Sequence, residues 1–164
     1  MRAVKRARRM CPDLVLLPPN PRLYARASRA LHEILRVWAP VIEPRWYGHA
    51  YLDLTGTGRL FGPPVEVAWP NAREAQARLG LPLTVGVAAN KLVSEAAARL
   101  VEPEDGAPAR CEPPLHVAGG EEAGFLAPHP VSLLPDLVER MRERLDDYQL
   151  DLISDFTYFT KDEN

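Results

Sequence analysis

Prolines divide this chain into short segments, and they constrain its fold more than any other feature of the sequence. The chain has 17 prolines among 164 residues. A proline inside a helix removes a hydrogen bond and clashes with the preceding turn, and in a central strand it interrupts the ladder. Each helix or strand must therefore fit between prolines. The length suits one domain, or one domain with a small appendage.

The spacing of apolar residues between these breaks predicts the elements. Three- and four-residue steps indicate helices, and short apolar runs indicate strands. The predicted helices span residues 2–10, 21–39, 64–79 and 91–100, followed by short helical stretches at 133–148 and 150–156. The predicted strands are a buried run at 13–17, two strands within 41–55 around Gly48, a β-branched run at 83–88 and a weak strand at 115–117. A polar linker covers residues 103–108.

This order of elements predicts an α+β fold. Strands and helices alternate as βα(ββ)αβα and end in a small helical piece, which is the pattern of a ferredoxin-like, split βαβ sheet with helices on one face. No internal repeat is visible.

Composition excludes few classes of function. The net charge of −2 gives no general attraction to nucleic acid, although Lys5, Arg6 and Arg9 lie in a basic start of the chain. No apolar run reaches the roughly 20 residues that span a bilayer, so no membrane partner is predicted. The run at 14–17 is too short for the core of a signal peptide. Cys11 and Cys111 are far apart, which favours unpaired thiols in a reducing cytoplasm over a disulfide.

Two stretches carry candidate chemistry. In AYLDLTG (50–56) a strand enters a glycine turn, and Asp53 points away from its leucine neighbours. In VGVAANK (85–91) a strand delivers Asn90 and Lys91 to the start of a helix, where a lysine and the helix dipole suit a phosphate. Taken singly, Asp53 also fits an ordinary strand end, and Lys91 also fits a solvated charge.

Five stretches in order resemble the translesion (Y-family) DNA polymerases. They are CPDLVLLPP (11–19), AYLDLTG (50–56), RLFG (59–62), VGVAANK (85–91) and GFLAP (124–128). The resemblance implies that residues 1–128 form a palm lacking its first strand, with 1–12 a remnant of the fingers helix. It implies that 129–164 form part of a helix-hairpin-helix thumb, and that Lys91, with Asn90, contacts the nucleotide triphosphate.

The departures from this family pattern concern the metal site. Where family members resemble Ser-Ile-Asp-Glu-Ala-Tyr, this chain has WYGHAY (46–51), so Gly48 and His49 occupy the positions of two metal carboxylates. Glycine offers no ligand atom, and an imidazole suits zinc or iron better than Mg²⁺. The third carboxylate lies on the strand that the chain is expected to lack. Asp53 matches a separate acidic position in the family pattern. Glu43 on the preceding strand could approach the site, but one carboxylate does not hold two metal ions. We therefore expect no catalytic residue, metal or cofactor, and Mg²⁺ only if the chain is active.

The thumb-like piece also departs from the pattern. Residues 133–137 contain no glycine, and Asp136 there would repel a phosphate. Arg140 and Arg144 fit a solvated helix face as well as a DNA contact. Lys5, Arg6 and Arg9 fit either a phosphate-tracking patch or the exposed stump of a fingers helix.

Three functions remain open from the sequence. The first is a catalytically inactive relative of the translesion polymerases, most like the mutasome-hub branch. Such a protein binds primer–template DNA in damage tolerance, together with other mutasome or recombinase proteins. The second is an active polymerase that needs a missing N-terminal segment. The third is a truncated remnant without a function of its own.

Overall fold

The fold is seen in a computed structural model, which describes residues 2–103, 110–137 and 139–158. The helices are α1 (Arg2–Met10), α2 (Pro21–Leu35), α3 (Gly58–Phe61), α4 (Pro64–Leu79), α5 (Lys91–Leu100), α6 (Glu122–Leu126) and α7 (Glu139–Asp147). The strands are β1 (Val41–Trp46), β2 (His49–Asp53), β3 (Gly86–Val87) and β4 (Leu115–His116), and 3₁₀ turns cover Val131–Leu133 and Ile153–Tyr158. In these ranges no helix is long and apolar enough to cross a membrane.

Two helices and a hairpin form the first core. Leu31 and Leu35 of α2 and Ala75 of α4 are buried against one another, and Ile42 of β1 and Leu52 of β2 pack on them. Because side chains alternate along a strand, the next pair in the register, Glu43 and Tyr51, points to the opposite face. One face of the hairpin is therefore fixed on helices, and the other presents polar groups.

The second core places α5 on the parallel pair β3–β4. A Cβ added at Gly86 would lie 1.9 Å from the Ser94 carbonyl oxygen and 2.6 Å from the Ala98 nitrogen. The backbone of α5 thus touches the strand at a distance that only glycine permits. This close approach fixes where the first turn of α5, and with it Lys91, lies relative to the sheet.

The C-terminal segment is closed by backbone hydrogen bonds. Val131 N–H donates to the Asp151 carbonyl at 2.9 Å, and Ile153 N–H donates to the His129 carbonyl at 2.9 Å. These bonds bring the two ends of the 129–153 segment together around α7.

The predicted buried strand at 13–17 is wrong. Residues 13–17 form no ladder, and Val15 and Leu17 are 77% and 82% exposed. A short run needs a neighbouring strand to satisfy its backbone, while Pro12, Pro18 and Pro19 restrict both of its ends. The strand at 83–88 is reduced to Gly86–Val87, and most of the predicted linker lies outside the described residues.

The α+β class is confirmed, but the strands form two separate pairs. β1–β2 is antiparallel and β3–β4 is parallel, and among the described residues the two pairs are not hydrogen-bonded into one sheet. The helices at 2–10, 64–79 and 91–100 lie where the sequence predicts them. The stretch predicted as helical over 133–148 contains a shorter helix, α7, and 150–156 is largely a 3₁₀ turn.

Candidate functional site

The β1–β2 hairpin organises the candidate site on its exposed face. Its register pairs Glu43 with Tyr51, Val41 with Asp53 and Trp46 with His49. The turn between the strands contains Gly48 with φ +81°, a left-handed conformation that favours glycine. The predicted metal-carboxylate positions, Gly48 and His49, therefore lie at the hairpin tip.

His49 lies between two aromatic rings. Its ring centroid is 4.6 Å from Trp46 in an edge-on arrangement and 5.2 Å from Tyr51 in a tilted one. Residues at i and i+2 of a strand share a face, which is why His49 and Tyr51 meet. In this arrangement the His49 ring packs against its neighbours as an aromatic side chain.

Asn90 and Lys91 begin α5 as the sequence predicts, and their roles differ. The Asn90 side chain accepts from Val93 N–H at 2.9 Å and so caps the helix. The Lys91 ammonium donates to the Glu43 carboxylate and lies 5.5 Å from the centroid of the Tyr51 ring. Its charge is therefore neutralised by a side chain of the same molecule.

Asp53 closes the turn that follows β2. Its carboxylate accepts from Thr55 N–H at 2.8 Å. Hydrogen bonds from Thr55, with a smaller contribution from the Lys91 charge, hold the pKa of Asp53 below its usual value. Asp53 thus acts here as a turn-stabilising residue beside Lys91.

A buried polar cluster that the sequence analysis missed joins β2 to α5. The Tyr51 hydroxyl donates to Glu95 of α5, and Arg99 one turn later donates to the same carboxylate at 2.8 Å. Glu95 is only 5% exposed. Burial, followed by the hydrogen bond to Glu95, raises the pKa of Tyr51 to about 12. The i,i+4 spacing of Glu95 and Arg99 is the signal that predicts half of this cluster.

Arginines tie the C-terminal segment to this face. Arg99 Nη1 lies 3.3 Å from the carbonyl oxygens of both Leu133 and Leu134. Arg45 Nη2 donates to both oxygens of Asp136, at 2.7 and 2.6 Å. The hydrogen bond to Asp136 raises the pKa of Arg45 above its ordinary value. Asp136, expected to face and repel a phosphate, is instead paired with an arginine.

The predicted DNA contacts lie on two separate helices. Lys5, Arg6 and Arg9 are exposed on α1, and Arg140 and Arg144 are exposed on α7. Among the described residues, no hydrogen bond or salt bridge joins these side chains to the cluster around Lys91. Their role stays a prediction.

The comparison with family models identifies the group to which these motifs belong. The model described as the impB/mucB/samB family matches residues 1–99, more than half of the 164 residues. The chain belongs to this family.

Individual relatives agree with that assignment to the impB/mucB/samB family. The chain is 33% identical over 139 residues to DNA polymerase IV of Dehalococcoides mccartyi, covering 85% of this chain and 34% of the relative. It is 36% identical over 132 residues to DNA polymerase IV of Caulobacter vibrioides, covering 79% of this chain and 30% of the relative. The chain thus spans about a third of the length of these curated relatives.

Solved structures show the same fold. The crystal structure of DinB from Sulfolobus solfataricus matches with a TM-score of 0.79 at 22% identity, covering 94% of this chain and 43% of that one. An insertion ternary complex of Dbh DNA polymerase matches with a TM-score of 0.78 at 22% identity, over 94% of this chain and 43% of that chain. The resemblance to the Y-family DNA polymerases is therefore confirmed.

The hairpin does not fit the divalent ions that polymerase chemistry in this family implies. Gly48 has no ligand atom, His49 packs between rings, Glu43 is paired with Lys91, and Asp53 holds Thr55. Within residues 2–103, 110–137 and 139–158, no group of three His, Cys, Asp or Glu side chains could hold a metal ion. Mg²⁺ prefers several oxygen ligands in near-octahedral geometry, and the hairpin tip does not supply them.

Proposed function

We propose that this chain is a catalytically inactive Y-family polymerase-like protein that binds DNA as an accessory in damage tolerance. One observation carries the proposal. The hairpin tip presents a glycine and a ring-packed histidine, Gly48 and His49, where the resemblance implies metal carboxylates. Two-metal catalysis depends on carboxylates that hold the ions beside the reacting phosphate. Without them, the fold keeps its shape and loses the means to activate a primer hydroxyl.

The state of Lys91 supports the same conclusion. In the family pattern this lysine holds the triphosphate, but here its ammonium engages Glu43. A phosphate must displace that carboxylate before it gains the lysine charge. The nucleotide site is thus weakened at a second point, independently of the metals.

DNA binding is proposed from the basic residues of the chain's two ends. The exposed side chains of Lys5, Arg6 and Arg9 offer phosphate contacts that do not depend on sequence. A structural neighbour described as a Dbh ternary complex with substrates, and relatives named DNA polymerase IV, support DNA as the ligand class. In this proposal residues 1–128 act as the palm with a fingers-derived helix, 129–164 act as a partial helix-hairpin-helix thumb, and other mutasome or recombinase proteins are partners.

The experiment is a fluorescence anisotropy titration with a primer–template duplex over a range of salt concentrations. We expect binding whose logarithm falls linearly with the logarithm of salt, with a slope close to the number of phosphates contacted. The triple substitution Lys5→Glu, Arg6→Glu, Arg9→Glu weakens binding if α1 contacts DNA. Arg140→Glu with Arg144→Glu tests α7 in the same way. No retention of DNA by the unsubstituted chain at low salt contradicts the proposal.

An active translesion polymerase is the second candidate, and the names of the relatives favour it. Two proteins that share 33% and 36% identity with this chain are named DNA polymerase IV. Primer extension separates the two functions. Magnesium-dependent incorporation that is lost in Lys91→Ala would establish the enzyme and remove the accessory proposal.

A further inference from the structure

A groove opens beside the tip of the β1–β2 hairpin, on the side that faces the C-terminal half of α5. Its volume is about 660 Å³, and the 3₁₀ turn Val131–Leu133 closes its far wall. Trp46, Tyr47 and His49 line the hairpin side. Trp46 and Tyr47 are 55% and 57% exposed, so much of their ring surface is open. This volume lies within the range of small-molecule sites.

The aromatic side chains form a preassembled surface. Trp46, His49 and Tyr51 follow one another at centroid spacings of 4.6 and 5.2 Å, and Tyr47 leans on Tyr24 of α2 at 6.1 Å. Trp46 is thus held by His49 and by the Arg45 guanidinium 5.4 Å from its ring centroid, and Tyr47 is held by Tyr24. Rings held in this way lose little conformational freedom when a flat ligand stacks on them.

The charges of the groove favour a neutral heterocycle over a phosphate. Glu95 is neutralised by Arg99, and Arg45 at the tip is engaged by Asp136. Glu102 is an exposed carboxylate in the wall and repels anions, and Ser132 adds a hydroxyl. A carboxylate and a hydroxyl suit the amino and imino groups on the edge of a base. Gly48 and His49 carry no negative charge, and the nearby Asp136 carboxylate is paired with Arg45.

We propose that this groove binds bases of single-stranded DNA, which stack on Trp46 and Tyr47 while the phosphates stay outside. The inference rests on the proposed DNA-binding function and names the form of DNA that this face recognises. Stacking on aromatic side chains is tolerant of sequence, since every base has a flat face. The groove beside Gly48 and His49 is thus assigned to unpaired bases.

The test compares two strands that differ only in their bases. One is oligo(dT) of about 12 nucleotides, and the other is an abasic strand of the same length, both within the usual site size for single strands. We expect oligo(dT) to bind roughly tenfold more tightly than the abasic strand and to quench tryptophan fluorescence. The abasic strand reports phosphate contacts alone.

Substitution locates the effect. Trp46→Ala with Tyr47→Ala should reduce oligo(dT) affinity to that of the abasic strand and leave abasic binding unchanged. Tyr148→Ala, at an exposed aromatic residue after α7, is the matched control and should keep the tenfold difference. Circular dichroism checks that each variant is folded.

The outcomes separate this inference from the function on which it rests. Equal affinity of the unsubstituted chain for oligo(dT) and the abasic strand overturns the groove proposal and leaves the proposed DNA binding intact. This comparison needs no substituted protein. Absence of binding to both strands and to duplex overturns the proposed function as well. A base-dependent affinity that survives the double substitution places base binding elsewhere and contradicts the assignment to this groove.

Discussion

The ammonium of Lys91, at the start of α5, donates to the carboxylate of Glu43, in the middle of β1. Sequence alone places them 48 residues apart and assigns the lysine to a phosphate. The hairpin register sets Glu43 opposite Tyr51, and the Tyr51 ring also lies beside the ammonium. Without a bound phosphate, the positive charge of Lys91 is therefore cancelled by the negative charge of Glu43.

Glu43→Gln should release Lys91 and increase affinity for phosphates. Both side chains are about half exposed, and ion pairs of this kind contribute up to about 1 kcal/mol. The gain is thus limited to roughly fivefold. Isothermal titration calorimetry with inorganic tripolyphosphate measures it.

The control for this release is Glu74→Gln, which breaks the surface pair with Arg78 on α4. It removes the same charge from the chain and should leave tripolyphosphate affinity unchanged. Adding Lys91→Gln to Glu43→Gln should cancel the gain. An equal increase in both single variants would show that net charge, and not Lys91, governs binding.

Arg99→Met should destabilise the fold by about 3 kcal/mol, because removing one partner of a buried ion pair leaves an uncompensated charge on Glu95. The variant also frees the carbonyls of Leu133 and Leu134. Urea denaturation measures the free energy of unfolding.

The control is Arg78→Met, which removes an i,i+4 pair on an exposed surface and should lower the free energy of unfolding by only about 0.4 kcal/mol. Similar decreases in the free energy of unfolding in the two variants would contradict the claim that Arg99 compensates the buried charge of Glu95.

Tyr51 should make stability sensitive to alkaline pH. Its pKa is raised to about 12 in the folded chain from 10.0, so the folded state holds the proton more tightly than the unfolded state. The contribution is complete below pH 10 and is lost as pH rises towards 12. Urea denaturation of the wild type and of Tyr51→Phe between about pH 10 and pH 12 measures this contribution to the free energy of unfolding. The free energy of unfolding of the wild type should fall more steeply with pH than that of Tyr51→Phe. Parallel curves would contradict the claim that the Tyr51 hydroxyl stabilises the fold in its protonated form.

Gly48→Asp with His49→Glu should create a weak site for divalent cations. A Cβ at Gly48 meets no atom within 4 Å, so there is room for the side chain. The φ of +81° makes a non-glycine residue unfavourable there, and we expect a loss of about 1 kcal/mol. Binding of Mn²⁺, followed by electron paramagnetic resonance, should appear in the double variant at millimolar concentrations. Binding of equal strength in the unsubstituted chain would disprove our interpretation of the hairpin tip.

Local signals in the sequence predicted the elements that position the site. Asn90 capping α5, Gly80 ending α4 in a left-handed conformation and Gly48 in the hairpin turn are each fixed by neighbouring residues. Helix periodicity then gave α2, α4 and α5 to within a few residues. These features could be inferred because their physical causes lie within one or two turns of chain.

Contacts between distant segments could not be predicted. The strand expected at 13–17 depends on a neighbouring strand, which the run itself does not specify. The pairing of Asp136 with Arg45 joins residues 91 positions apart, and Asp136 alone indicated only a charge that repels phosphate. The Tyr51–Glu95 hydrogen bond likewise depends on where α5 lies relative to the hairpin. Each is a tertiary relationship with no local signature.

Primer extension on a bound primer–template tests the central claim most directly. The chain is titrated onto a fluorescent primer–template with all four nucleotides and Mg²⁺ or Mn²⁺ present, and anisotropy and primer length are read from the same samples. Our account predicts that anisotropy rises, that the rise is reversed by salt, and that the primer keeps its length at saturation. Extension of the primer by the unsubstituted chain, abolished by Lys91→Ala, would contradict it.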